Sequence, residues 1–265
     1  ALPILQFMPY TNGDNYKDYM VYESLYRQNI ECDIIPCDKI TDFSGYDMLV
    51  IPPLYVAADS LLNKISDFVK RGGEVVMFYK SGYCNEHSAV RPTLAPGPLK
   101  DVCGFTYQEF STINKLNLKA NELGANDNTV NTWFEFLQPT TAKPLAYIDH
   151  PFFGKWPCIT ENSYGKGHLI YLATVPSQDL LQKIVARAAN RIGQLPFNGK
   201  YHYPIIMRSG INGSKKSIHY IFNYSAEEKS IEYPFADSRS LLDNQSLKKD
   251  SRVTIEPWGV VIAEE

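Results

Sequence analysis

One stretch decides the fold of this chain: Asp59-Ser-Leu-Leu-Asn-Lys-Ile-Ser-Asp-Phe-Val-Lys-Arg-Gly-Gly-Glu-Val-Val-Met-Phe-Tyr79. Its first part carries apolar residues at spacings of three and four, which predicts a helix capped by Asp59 or Ser60. Gly72-Gly73 is expected to end this helix. Glu74–Tyr79 is then a continuous apolar strand. A strand without polar alternation is typical of a parallel sheet that is covered on both faces.

The residues before this stretch repeat the same alternation of strand and helix. Strands are predicted at Pro3–Met8, Cys32–Ile35 and Met48–Ile51, with a turn at Thr11–Asn15 and a helix at Tyr16–Gln28. Short links between such elements favour parallel pairing with helices on both sides. The sequence therefore predicts an α/β domain with a doubly wound, mostly parallel sheet, like that of flavodoxins or class I glutamine amidotransferases.

The residues after it complete this domain and then change in character. A short helix at Gly97–Gly104, a strand at Leu169–Leu172 and a helix at Gln178–Ile192 are expected, and residues 104–146 are expected to add edge strands. Beyond Pro196-Phe-Asn-Gly199 the apolar residues alternate at period two, which indicates a small antiparallel β domain. We predict domains at residues 1–196 and 197–265.

Composition narrows the possible functions of the 265 residues. The net charge is −3 and no basic block is present, which argues against nucleic-acid binding. No window reaches the roughly 20 apolar residues of a membrane helix. Five irregularly spaced cysteines favour reduced thiols and a cytoplasmic setting, with a periplasmic one left open. Because the chain starts at Ala1 with a strand, we expect it to be a piece of a longer protein.

A cysteine after the Glu74–Tyr79 strand is the first candidate for chemistry. Ligands of doubly wound sheets sit at the carboxyl ends of strands, so Cys84 with His87 nearby could act as the nucleophile of an amidotransferase-like site. The glycine that should follow in a nucleophile elbow is absent, because the sequence reads Gly82-Tyr-Cys-Asn-Glu86. A loop cysteine in a fold of this architecture without the chemistry is the alternative.

Two Asn-Glu dipeptides, Asn85-Glu86 and Asn121-Glu122, resemble the acid/base pair of retaining glycosidases. That mechanism requires a second carboxylate on another barrel strand. The chain provides about half of the eight βα units of such a barrel. We therefore predict no catalytic residue here.

Metal and nucleotide sites receive little support. Cys84-x-x-His87 is one half-site, and Cys32 and Cys37 have no partner pair at zinc-ribbon spacing. The other histidines are scattered, and that of Asp149-His150-Pro151 is expected to order its own loop; they are His150, His168, His202 and His219. No phosphate-binding glycine motif is present, and Gly165-Lys-Gly167 lies in a hairpin. We predict neither metal nor cofactor.

Aromatic residues gather between positions 133 and 156. They are Trp133, Phe134, Phe136, Phe152, Phe153 and Trp156. Such a group can bind sugars, contact another subunit or fill the core, and we place subunit contact ahead of sugar contact.

Several motifs resemble glycoside hydrolase family 42 β-galactosidases, in family order. They are Gly45-Tyr-Asp-Met-Leu-Val-Ile-Pro-Pro-Leu-Tyr55, the Phe68–Gly82 block, Pro96-Gly-Pro-Leu-Lys-Asp-Val-Cys-Gly104, Asp149-His-Pro-Phe-Phe-Gly-Lys155 with Tyr164-Gly-Lys-Gly167, and Pro257-Trp-Gly-Val-Val-Ile262. The resemblance implies a parent with a catalytic barrel, a trimerisation domain and a small β domain, of which this chain holds the last two.

On this resemblance, the chain is the non-catalytic C-terminal region of an enzyme that hydrolyses terminal β-D-galactosides. The two catalytic glutamates of the family lie in the barrel, so none is carried onto this sequence. The partners implied are further copies of the chain and the missing barrel. Two alternatives remain open: an amidotransferase-like enzyme that uses Cys84, and a carbohydrate-binding module that uses Trp133, Phe152, Phe153 or Trp156.

Overall fold

The computed structural model describes residues 2–5, 15–39 and 42–265. The predicted turn at Thr11–Asn15, up to residue 14, and the later part of the predicted strand Pro3–Met8 lie outside the described residues. The chain forms two compact units. The first comprises Ala1–Leu25 and Cys32–Gln194, and the second comprises Tyr26–Glu31 and Leu195–Glu265.

The first unit is mixed α/β. Its elements in chain order are β1 (Leu2–Leu5), α1 (Asn15–Tyr26), β2 (Ile35–Pro36), β3 (Met48–Ile51), α2 (Asp59–Arg71), β4 (Glu74–Phe78), α3 (Lys100–Cys103), β5 (Phe105–Thr106), β6 (Phe110–Asn117), β7 (Thr129–Glu135), β8 (Gln138–Pro139), β9 (Lys143–Tyr147), β10 (Pro157–Tyr164), β11 (Gly167–Leu172), β12 (Thr174–Pro176) and α4 (Gln178–Arg191).

The central sheet has seven strands in the order β2-β1-β3-β4-β11-β10-β9. The strands from β2 to β11 are parallel, and β10 and β9 continue the sheet in antiparallel pairing. All five residues of β4 are buried. Val75 and Met77 pack in one core with Ile65 and Val69 of α2. Glu74 on the opposite face bonds to Arg191 of α4, so helices cover the two faces.

Three expectations about local structure were wrong. The strand expected at Cys32–Ile35 is the short pair Ile35–Pro36. The N-cap of α2 is Ala58, which makes no side-chain cap bond, because Asp59 already belongs to the helix. Residues 104–146 mostly build a separate three-stranded sheet, β12-β7-β6, and only β9 extends the edge of the central sheet.

Gly104 ends α3 in the left-handed region with φ 71°. Its carbonyl oxygen accepts hydrogen bonds from three successive backbone N–H groups, those of Thr140, Thr141 and Ala142, at 2.8–3.1 Å. A Cβ atom at this position would lie 2.6 Å from Asn162 Cγ and 2.7 Å from the Ala142 nitrogen. The position therefore requires glycine for its backbone angle and for its space.

The second unit is built of antiparallel strands: β13 (Ile205–Ile211), β14 (Ser217–Asn223), β15 (Lys229–Glu232), β16 (Ser238–Ser240), β17 (Ser246–Leu247), β18 (Arg252–Ile255) and β19 (Val260–Glu264). One sheet has the order β13-β14-β19-β16-β17, and β15 pairs with β18. Asn29 belongs to this unit. Its amide donates to the carbonyls of Tyr201 and Ile205, and its oxygen accepts the Met207 N–H.

Candidate functional site

The chain leaves the carboxyl end of β4 through a tight turn. Lys80 has φ 58°, in the left-handed region. Ser81 Oγ donates to the Phe78 carbonyl at 2.6 Å and accepts the Leu54 N–H at 3.2 Å. The Gly82 N–H donates to the Leu54 carbonyl at 2.9 Å. The loop after β4 is thus held against the segment after β3, at the edge where ligands of parallel sheets sit.

A carboxyl group is buried directly beneath this turn. Glu135, at the end of β7, has no exposed surface. Its Oε1 accepts the Lys80 N–H at 2.6 Å and the Trp133 indole N–H at 3.4 Å. Its Oε2 accepts the Tyr171 hydroxyl at 2.8 Å. Glu135 therefore ties β7 and β11 to the turn that begins at Lys80.

Glu135 is the group of this edge that titrates near neutral pH. Burial raises its pKa to about 7, although the bonds from Lys80, Tyr171 and Trp133 favour the ionised form. Burial also raises the pKa of the Tyr171 hydroxyl well above its usual range. The sequence analysis missed Glu135. The available signal was a glutamate inside the aromatic run Trp133–Phe136, on a strand with two buried ends.

The structure does not bring Cys84 and His87 together. Cys84 is fully buried, and its backbone is bonded to Tyr55 and Ala57 at 2.8 and 3.2 Å. His87 is exposed, and its backbone N–H donates to Asn85 Oδ1 at 3.0 Å. No hydrogen bond between the two side chains occurs in the part of the chain described. The residues of a thiol–imidazole nucleophile are present without its geometry.

The two Asn-Glu dipeptides lie in local turns. Asn85 Oδ1 accepts the N–H groups of His87 and Ala89. The Asn121 side-chain amide donates to the Ala125 carbonyl, and Asn121 Oδ1 accepts the Ala125 N–H. Glu86 and Glu122 are exposed. The asparagine of each dipeptide therefore serves to close its own turn.

The candidate metal ligands remain apart. Among the described residues, no group of three or more histidine, cysteine, aspartate or glutamate side chains could hold a metal ion. Cys84, Cys103 and Cys158 are buried free thiols, and Cys32 and Cys37 are half-buried. His150 Nδ1 accepts the N–H groups of Phe152 and Phe153 at 3.2 and 3.1 Å, so this ring holds its own loop. His202 Nδ1 lies 3.0 Å from the Tyr203 carbonyl.

An ionic network lies at the opposite, amino end of β4, and the sequence analysis missed it. The Arg191 guanidinium binds Glu74 at 3.1 Å and also binds Glu161. Burial raises the pKa of Glu74 to about 8. Burial opposes ionisation of Glu161 as well, but the hydrogen bonds and charges of Arg191 and Arg187 together outweigh it and lower the pKa of Glu161. One arginine thus faces two carboxyl groups whose pKa values are shifted in opposite directions. His168 Nδ1 lies 3.6 Å from Glu74.

The predicted aromatic group splits into two. The first set, here called the Phe152 cluster, contains Phe136, Phe152, Phe153 and Trp156; the Phe136 and Trp156 rings stack at 4.7 Å. Phe152 is 49% exposed and caps this cluster.

The second set, here called the Trp133 strip, runs along the carboxyl edge of the central sheet. Trp133 stacks on Phe110 with their ring centres 4.5 Å apart, and Lys80 Nζ lies 4.0 Å from the Trp133 ring centre. Phe110 in turn contacts Tyr83 at 6.2 Å. Phe110 is 44% exposed, so part of this strip faces solvent.

Comparison with known families assigns the chain. Residues 10–195 match the family model of the β-galactosidase trimerisation domain of glycoside hydrolase family 42, and residues 220–265 match the model of its β-galactosidase C-terminal domain. The chain belongs to glycoside hydrolase family 42. The predicted resemblance is thereby confirmed, as is the prediction that the chain corresponds to the trimerisation and C-terminal region of this family's β-galactosidases.

Relatives in this family are β-galactosidases of greater length. The β-galactosidase LacA of Lactobacillus acidophilus is 30% identical over 247 residues, which cover 91% of this chain and 36% of that protein. The β-galactosidase BgaB of Geobacillus sp. is 30% identical over 167 residues, or 62% of this chain and 24% of that protein. The chain thus spans about a third of the length of LacA.

Solved structures agree on the fold. The β-galactosidase of Bacillus circulans sp. alkalophilus superposes with a TM-score of 0.84 at 23% identity, over 100% of this chain and 41% of the other. That of Rahnella sp. R3 gives a TM-score of 0.83 at 23% identity, with 40% of its length covered.

Among the described residues no helix combines the length and apolar character needed to cross a membrane.

Proposed function

We propose that this chain is the assembly region of a β-galactosidase whose parent enzyme hydrolyses terminal β-D-galactosides. The observation that carries the proposal is the order of the two matched models, trimerisation domain first and C-terminal domain second. The relatives carry the remaining length that a catalytic barrel would occupy.

The Phe152 cluster supports a specific subunit contact. Its rings pack edge to face, with Phe152 at 5.3 Å from Trp156 and 5.4 Å from Phe153, so the exposed ring is held in a fixed position. Lys155 Nζ lies 5.3 Å from the Phe152 ring centre. Aromatic side chains held rigid by their neighbours are typical anchors of protein–protein interfaces. We infer that Phe152 contacts a neighbouring copy.

Light scattering tests the assembly role. We expect a species of three times the 30.1 kDa chain mass, and a Phe152→Asp variant that shifts toward the single-chain mass. Ile211→Asp is the matched control, because Ile211 is 78% exposed and lies in the other unit. A single-chain mass for the unaltered protein at all concentrations would overturn the proposal that the chain assembles alone.

A turnover assay tests the catalytic part of the proposal. The chain should not hydrolyse a nitrophenyl β-galactoside, because its matched models are a trimerisation domain and a C-terminal domain. β-Galactosidase activity that follows the purified chain through successive columns would contradict this proposal.

We also infer that the first unit is a doubly wound, flavodoxin-like domain of the class I glutamine-amidotransferase type, and that the chain divides near residue 196. The strand order β2-β1-β3-β4-β11 and the buried residues on both faces of β4 support this inference. The buried free thiols of Cys84, Cys103 and Cys158 support the accompanying proposal of a reducing, cytoplasmic setting.

The Trp133 strip favours a second candidate, a carbohydrate-binding module. Stacked rings beside a lysine at a partly exposed edge suit an apolar sugar face with neighbouring hydroxyl groups. Calorimetry with galactose oligomers tests it, with Trp133→Ala and Phe152→Ala compared. A heat of binding that the unaltered protein and Phe152→Ala show but Trp133→Ala lacks would support this candidate. No heat of binding in any of the three proteins would exclude it.

A further inference from the structure

Ser209 and His219 face each other on the first two strands of the second unit. They are directly opposite in the register of β13 and β14. The Glu265 N–H donates to the Ser217 carbonyl and the Asn223 N–H to the Gly259 carbonyl, so odd-numbered residues of β14 bond toward β19. Ser209 and His219 therefore form a non-hydrogen-bonded pair, in which side chains approach most closely.

A carboxylate completes a hydrogen-bonded chain. Ser209 Oγ lies 2.7 Å from His219 Nδ1, and His219 Nε2 lies 3.0 Å from Glu265 Oε1. A carboxylate only accepts, so Nε2 carries the proton and Nδ1 accepts from the serine hydroxyl. This tautomer is the one that a general base acting on Ser209 needs.

The imidazole and the carboxylate are held in place. His219 is 6% exposed, and its ring stacks on Phe235 at 3.7 Å with planes 11° apart. Glu265 Oε1 also accepts the Ala236 N–H at 3.2 Å. The hydrogen bond from His219 lowers the pKa of Glu265, so this group is an anion at neutral pH. The partly exposed Glu265 thus orients a buried ring.

Ser209 itself is open to solvent. It lies on β13, the edge strand of its sheet. The same register directs the Ser209 backbone N–H away from β14. The Met207 N–H, two residues earlier on this strand, points to the same side and donates to Asn29. Because the Ser209 side chain is exposed, an electrophile can approach Oγ, and the Ser209 N–H, directed away from β14, can bond to the oxygen that becomes negative.

We propose that Ser209 is a nucleophile toward small acyl esters, with His219 as its general base and Glu265 as a positioning residue. This activity is independent of the proposed assembly role, since it uses only residues of the second unit.

The proposed reaction balances without a cofactor. Ser209 Oγ attacks the acyl carbon while its proton moves to His219 Nδ1, and the carbonyl electron pair moves to oxygen. The intermediate collapses as the bond to the alcohol oxygen breaks, and that oxygen takes the proton from Nδ1. Water then attacks the acyl-serine by the same route, which releases the acid and restores the hydroxyl.

A fluorophosphonate probe tests the nucleophile directly. We expect one adduct per chain, located at Ser209 by peptide mass spectrometry, with fluoride released, and no adduct at that site in Ser209→Ala. Ser230→Ala is the matched control, because Ser230 is an exposed strand serine bonded to Thr254 rather than to a histidine. Labelling of Ser209 no faster than labelling of Ser230 would overturn the proposal, as it would identify a structural serine–histidine pair only.

Ester turnover tests the roles of the two partners. The protein should release nitrophenolate from p-nitrophenyl acetate, and His219→Gln should lower this rate at least about 100-fold. Glu265→Gln should lower it about tenfold, because the imidazolium formed during the reaction loses its anion, and Glu265→Asp should restore part of the rate. Circular dichroism checks that each variant is folded. If the folded His219→Gln or Glu265→Gln variant kept the unaltered rate, the assignment would be contradicted.

Discussion

Glu135 illustrates how one buried carboxyl group couples stability to pH. It ionises near its ordinary pKa in the unfolded chain, whereas burial raises its pKa to about 7 in the folded chain. At pH values between these two pKa values, Glu135 binds more protons in the folded state than in the unfolded state. The free energy of unfolding therefore falls as pH rises through this window, and the lost stability is not regained above it.

The first prediction concerns Glu135→Gln. The glutamine oxygen can still accept from Lys80 and Trp133, and its amide can donate to the Tyr171 hydroxyl oxygen. We expect the decrease in unfolding free energy between pH 5 and pH 8 to be smaller by about 3 kcal/mol in the variant. Urea unfolding at both pH values measures it. Part of the decrease should remain, because the pKa of Glu74 is raised to about 8. Equal decreases in both proteins would contradict the prediction.

Glu135→Ala is the contrasting change at the same position. It leaves the Lys80 N–H and the Tyr171 hydroxyl buried without their acceptor, and each such group costs about 1–3 kcal/mol. We expect Glu135→Ala to be less stable than Glu135→Gln at every pH. If the alanine variant matched the glutamine variant in urea unfolding, the hydrogen bonds would contribute nothing to stability.

At the scale of elements, a substitution of Gly104 tests whether the turn that ends α3 requires glycine. Gly104→Ala forces a Cβ against Asn162 and the Ala142 nitrogen at φ 71°. The neighbours are backbone and packed side chains, so we expect a loss of about 2 kcal/mol or more. Gly124→Ala is the control, since Gly124 also has positive φ but no neighbour within 4 Å of its Cβ position. The difference in thermal midpoint between the two variants isolates the steric part.

The start of α4 gives a second prediction at this scale. Ser177 Oγ accepts the Leu180 N–H at 3.1 Å and donates to the Asp127 carbonyl. Ser177→Ala removes the cap, and we expect the protein to lose about 1 kcal/mol of stability. Ser177→Asp, which can accept the same N–H, should recover part of the loss in urea unfolding. A recovery that failed would assign the effect to the bond with Asp127 instead.

At the scale of elements, the sequence predicted those helices and turns whose pattern lies within one short stretch of residues. The helix Gln178–Arg191 matches its apolar spacing, and Tyr164 pairs with Gly167 at the expected turn. The separate sheet β12-β7-β6 was not predictable, because β12 pairs with β7 although four other strands lie between them in sequence. Within the site, the turn beginning at Lys80 was located, but the carboxyl group beneath it lies 55 residues away along the chain.

For the whole molecule, Asn29 tests the membership of residues 26–31 in the second unit. Its φ is 63°, so Asn29→Gly keeps the backbone and removes three side-chain hydrogen bonds to residues 201–207. We expect a loss of about 2–3 kcal/mol that is confined to the second unit. Hydrogen exchange of β13 amides should accelerate while that of β4 amides stays unchanged. Equal acceleration in both strands would contradict the assignment.

The domain division could be predicted only in part. The change to period-two alternation after Pro196 places the second unit near its structural start at Leu195. The short segment Tyr26–Glu31 has no pattern of its own that assigns it to residues so distant. Asn29 at positive φ was a possible signal, but an asparagine after a helix is also common at ordinary helix ends.

The bonds of Asn29 span 172 to 178 residues of sequence, which has a consequence for synthesis. At 5–20 residues per second, the ribosome makes the partners of this segment roughly 9 to 35 s after the segment itself. During that interval the segment around Asn29 lacks its native hydrogen-bond partners, while residues 32–194 of the first unit are being synthesised. Slow codons between positions 31 and 195 would lengthen this interval.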